Sequence, residues 1–104
     1  MSDGNARASE QVAFALPQQF SFLRIPTVLK RRGVSRSGLY AHIAARLFPK
    51  PVAIGLRAVA YPDYEVDALN AARIAGRSDD EIRALVVRLE AARKLATSPW
   101  DEAA

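Results

Sequence analysis

Apolar residues at four-residue spacing mark the middle of the chain: Leu39, Ile43 and Leu47 fall on one stripe of a helix predicted over 36–47. Ser35, just before it, is a good N-cap. A shorter helix is predicted over 27–32, opened by Pro26 and ended by Gly33. Its Val28 and Leu29 turn inward beside Leu23 and Ile25. Helix, glycine-bearing turn and capped helix together make the helix-turn-helix plan. Phe48-Pro49-Lys50-Pro51 then stops the helix and forces extended chain. Two strand-like runs follow, over 52–54 and 58–61, joined through Gly55-Leu56-Arg57 as a glycine-led hairpin. A hairpin directly behind a recognition-type helix has the place of a wing.

Pro62 opens a third helix with Asp63 and Glu65 in its first turn, where the helix dipole favours negative charge. Val66, Leu69 and Ile74 carry it to Gly76. Ser78 and Glu81 form a capping box for a last helix reaching about residue 96. Ile82, Leu85, Val86, Leu89, Ala92 and Ala96 make a narrow seam at near-heptad spacing. It is too short for an independent coiled coil, so it docks on its own domain or pairs with a neighbouring subunit.

The fold class is therefore mainly α with a small β-hairpin: a winged helix-turn-helix plus a C-terminal helix. The expected divisions are a flexible arm over 1–19, the winged domain over 20–76, the last helix over 77–97 and a tail over 98–104. In the arm, Val12, Phe14 and Leu16 alternate in a way suited to lying on a partner; Trp100 in the tail has no assigned place. Phe20, Phe22 and Phe48 read as core.

Composition removes several function classes. With 104 residues, half of them apolar, the chain suits one small core and not wholesale disorder. It has no cysteine, which excludes disulfides, a thiol nucleophile and a zinc finger. His42 is the only histidine, and the carboxylates are scattered, so neither a metal nor a cofactor is expected. No nucleophile–base pair or phosphate loop can be assembled, and an enzyme is not expected. The N-terminus shows no signal-peptide pattern and no window is apolar enough to span a bilayer, which fits a cytoplasmic, nucleoid-associated protein.

Charge then gives the partner. Between Gln11 and Pro62 there is no acidic residue, while Arg24, Lys30, Arg31, Arg32, Arg36, Arg46, Lys50 and Arg57 all fall there. The formal net charge of +4 understates this segregation. A module whose side chains are only positive is suited to a polyanion, because each neutralised phosphate releases counterions.

The ordered string Phe22-Leu23-Arg24, Gly33-Val34-Ser35-Arg36-Ser37-Gly38-Leu39-Tyr40, Phe48-Pro49-Lys50-Pro51-Val52, Arg57-Ala58-Val59-Ala60-Tyr61 and Glu65-Val66-Asp67-Ala68 resembles the AlpA family over roughly residues 20–96. These are small phage- and mobile-element-associated winged-helix proteins, similar in architecture to excisionases and MerR-type DNA-binding heads. Two departures stand out. Arg46 occupies a place where glycine is expected at the end of the second helix, and either extends that helix or adds a phosphate contact. Ala41 replaces an arginine that commonly follows the tyrosine. The resemblance implies duplex DNA binding, used to regulate transcription or to bias site-specific recombination toward excision.

Arg36, Ser37 and Tyr40 lie in the half of the second helix that enters a major groove in helix-turn-helix docking. Arg36 suits a bidentate contact to guanine, Ser35 and Ser37 suit phosphate, and Tyr40 offers a hydroxyl. Arg57 at the hairpin tip suits the adjacent backbone or minor groove. Lys30, Arg31, Arg32, Lys50 and Arg24 are phosphate candidates, although cations closing a helix also complement its dipole. His42 reads as a satisfied, partly buried histidine. Self-association on DNA and an integrase are the expected protein partners, with no small-molecule substrate. The competing readings are a structured-RNA binder, which would need exposed aromatic platforms, and a non-catalytic interaction adaptor working through the acidic last helix.

Overall fold

The computed structural model describes residues 19–95. The arm apart from Gln19, the seam residue Ala96 and the tail with Trp100 lie outside them. The described chain runs β1 (Phe22–Leu23), α1 (Ile25–Arg32), α2 (Arg36–Ala44), β2 (Val52–Gly55), β3 (Ala58–Pro62), α3 (Asp63–Ile74) and α4 (Asp79–Arg93). It is a winged helix-turn-helix with an additional C-terminal helix.

Strand β1 is only two residues long. It pairs antiparallel with β3, Leu23 opposite Tyr61, so the hairpin becomes a three-stranded sheet in the order β1-β3-β2. Side chains alternate across a strand, which buries Leu23 and turns Phe22 outward. The expectation that Phe20 and Phe22 are core is therefore wrong: they are 44% and 47% exposed and pack edge-to-face against each other. Phe20 also meets the Tyr64 ring at 5.7 Å. Phe48 is buried as expected, against Tyr61.

Helix α1 starts two residues earlier than expected, at Ile25, with Pro26 in the first turn, where no intrahelical N–H bond is lost. Ser35 caps α2 by accepting the Gly38 N–H at 3.1 Å, and a Cβ at Gly38 would come within 3.2 Å of the Ser35 hydroxyl. Helix α2 is shorter than its periodicity suggested and ends at Ala44. The Arg46 N–H bonds to the Ile43 carbonyl and the Leu47 N–H to the His42 carbonyl, with Arg46 at φ 66°. This is the Schellman arrangement. Gly33 after α1 and Gly76 after α3 close their helices in the same way at φ 68° and 74°. Arg46 thus takes a glycine position and terminates α2 instead of extending it. The hairpin shows the same exchange: its left-handed residue is Arg57, at φ 62°, and not Gly55, which lies in β2. The ladder shifts register between Ala53 and Gly55.

The core gathers residues from every element except β2, with Val28, Leu39, Phe48, Tyr61, Val66 and Ile82 almost wholly enclosed. Helix α4 docks on this core through Ile82, Val86, Leu89 and Ala92, so most of the heptad-like seam is satisfied within its own chain.

Candidate nucleic-acid interface

The winged scaffold separates two kinds of cation. Beyond Pro62, arginines are matched to carboxylates: Arg73 with Asp79, Arg77 with Glu81, Arg83 with Asp80 and Arg93 with Glu65. Within the acid-free window, Arg24, Lys30, Arg36, Arg46, Lys50 and Arg57 are all exposed, and none forms an ion pair among the described residues. No described carboxylate neutralises them, and the solvent ions they attract are what a phosphate backbone would displace.

Three of the side chains expected to read DNA stand together on α2. Arg36 is its first residue, Ser37 its second, and Tyr40, 47% exposed, lies one turn on from Arg36. The Ser37 hydroxyl is 3.2 Å from that of Ser35. A helix N-terminus presents unpaired N–H groups and a partial positive charge, so this end attracts phosphate even before side chains are counted. No acidic residue occupies its first turn.

The Lys30-Arg31-Arg32 cluster divides. Lys30 is exposed and forms no ion pair among the described residues; Arg31 pairs with Asp67 at 3.1 Å on the surface, a contact weak enough to be exchanged. Arg32 is committed to the fold. It donates to the Asn70 side chain at 2.9 Å, and its guanidinium lies 4.8 Å from the Phe48 ring centroid. Its Nε is enclosed without a partner among the described residues, and burial followed by repulsion from Arg73 holds its pKa below the ordinary value. The same corner receives His42, half-buried, with its Nδ1 enclosed and unpartnered among the described residues. The expectation of a satisfied histidine is corrected in that respect. Burial first, then Arg32 and Arg73, lower the His42 pKa against a smaller opposing effect of Asp79.

Lys50 is the residue whose backbone the fold uses and whose side chain it leaves exposed. Its N–H donates to Glu90 at 2.8 Å, and its carbonyl accepts from Arg93 at 2.8 Å. Arg93 also grips the fully buried Glu65 through two bonds of 2.7 and 2.8 Å. Beside it the Tyr61 hydroxyl donates to the Pro49 carbonyl at 2.7 Å, and burial pushes its pKa well up. Sequence reasoning explained Glu65 by the helix dipole alone and missed this clamp. The signal available was its spacing: Glu65 stands one turn before Leu69, on the inward stripe of α3.

The family described as "Prophage CP4-57 regulatory protein (AlpA)" matches residues 21–74, from β1 to the end of α3 and just over half of the chain. The chain belongs to this family. The family is one of prophage regulatory proteins, and the matched segment holds Arg24, Lys30, Arg36, Arg46, Lys50 and Arg57. Helix α4 lies beyond the AlpA match. A protein of Enterobacteria phage P4, "Uncharacterized protein ORF88", is 46% identical over 59 residues, covering 57% of this chain and 67% of the phage protein. No solved structure matches. Among the described residues no cluster of His, Asp or Glu can hold a metal ion, and no helix is long and apolar enough to cross a membrane.

Proposed function

We propose that this AlpA protein binds duplex DNA sequence-specifically in a mobile element or prophage, as a recombination directionality factor, a transcriptional regulator or both. The observation that carries the reading is the set of exposed cations left without carboxylate partners, all within the family segment. Arg36, Ser37 and Tyr40 enter the major groove on α2, with Arg36 reading guanine. Arg57 on the wing, together with Arg24, Lys30, Arg46 and Lys50, holds the backbone; Arg31 joins them by exchanging Asp67 for phosphate.

So few base contacts require neighbouring copies or DNA deformation for specificity. The outer side of α4 at Val87, with Leu95 just past the helix end, 60% and 72% exposed, supplies contacts between copies. An integrase is the second protein partner, and the cytoplasm is the compartment. Mobility shifts on the element's attachment region and on its promoters separate excision control from transcription: specific retardation is expected at moderate salt on at least one. Absence of specific retardation on both would end this reading.

One observation favours a second reading, a structured-RNA binder: the exposed Phe20–Phe22 pair, which offers ring faces for stacking. Those rings adjoin acidic α3, where Ser21 bonds Asp63, rather than the free cations. Tighter binding of RNA than of duplex DNA of equal length would favour RNA.

A further inference from the structure

The wing tip carries a large apolar residue that neither the core nor the cation set uses. Leu56 is 96% exposed at the hairpin tip, the highest exposure among the large apolar residues described. Tight turns favour Gly, Asn, Asp and Ser, which serve the backbone and tolerate water. A leucine there does neither. It also has company: Ile54, 39% exposed on β2, lies two positions before it, while Ala53 and Gly55 are exposed without any charge. Arg57 follows it directly, held at φ 62° in a conformation that disfavours side chains other than glycine, asparagine or aspartate. No carboxylate occurs between Lys50 and Pro62. The tip is thus an apolar point flanked by a fixed positive charge on an acid-free ribbon.

We propose that Leu56 is a wedge: on binding, it enters the minor groove beside the site read by α2, partly unstacks one base step and bends the duplex. Apolar residues inserted between base steps kink DNA in this way, and pyrimidine–purine steps yield most easily. Arg57 supplies the charge complementarity by seating on the phosphates that the tip must pass. This rests on the duplex reading above and deepens it, giving the wing a part in specificity at positions it does not hydrogen-bond. A hydrophobic contact to another protein is the competing use of the same tip.

The test uses the full chain and a duplex enriched from a random pool by the wild-type protein, dye-labelled at both ends. Energy transfer reports the end-to-end distance, and anisotropy reports binding. Leu56→Ser, at a fully solvated position, is expected to fold as wild type by circular dichroism. Wild type is expected to raise energy transfer at saturation; saturated Leu56→Ser should lose most of that rise while binding within about tenfold of wild type. Placing a TA step at successive positions beside the site should maximise the wild-type bend at one of them. An unbent wild-type complex, or an equal bend with Leu56→Ser, would overturn the wedge while leaving duplex binding intact. Equal bends together with weaker self-association of Leu56→Ser would assign the tip to a protein partner instead. Failure to enrich any duplex would instead count against the duplex reading itself.

Discussion

Arg46 and His42 are two residues whose local chemistry the fold does not fully satisfy. A left-handed backbone disfavours arginine by roughly 1–2 kcal/mol, and the matching positions after α1 and α3 are Gly33 and Gly76. Glycine at 46 would relieve that strain, less the greater entropy of a glycine in the unfolded chain. Arg46→Gly is therefore expected to stabilise the protein by up to about 1 kcal/mol in urea unfolding while weakening duplex binding. Unchanged binding would remove Arg46 from the phosphate contacts. His42 gives a pH dependence. Its folded pKa lies below the ordinary value, chiefly through burial. Between that ordinary value, about 6.5, and the lower folded value, the unfolded chain takes up a proton the folded chain resists. Stability is therefore full above this window and lost as pH falls through it. Urea midpoints at successive pH values should show the loss for wild type, and His42→Gln should flatten it; identical profiles would contradict the assignment.

At the scale of elements, α4 is held by a clamp as well as by its apolar seam. Arg93→Ala would strand Glu65, which is fully buried, without its bidentate partner. A loss of about 3–5 kcal/mol is expected in urea unfolding; less than about 1 kcal/mol, the range of surface pairs, would mean that the clamp is not a buried pair in solution. The elements were legible where local rules decide them. Gly33, Ser35 and the Ser78–Glu81 box each fix a boundary by backbone chemistry that needs no distant partner, whereas Pro26 marks only the first turn of α1. What was illegible came from tertiary context. The two-residue strand β1 exists because β3 offers Tyr61 and Pro62 to pair with, and its alternation sends Phe22 outward. The α2 terminus and the hairpin turn were misread because arginines, not glycines, adopt the left-handed backbone there.

For the whole molecule, the acid-free window announced an electrostatic face, but not which cations the fold would keep for itself. Only the paired geometry shows that Arg32 is absorbed by Asn70 and Phe48 while Arg24, Lys30, Arg36, Arg46, Lys50 and Arg57 form no ion pair among the described residues. If all of those free cations meet phosphate or base, log affinity should fall with log salt with a slope of at most about −5. The most direct test compares wild type, Arg36→Ala and Arg57→Ala by anisotropy on a selected duplex and on a shuffled one over a range of salt. Arg36→Ala should lose about 1–3 kcal/mol of preference for the selected duplex. Arg57→Ala should weaken both duplexes alike and reduce the slope by about 1. Equal, sequence-blind losses from both substitutions would contradict base reading by α2.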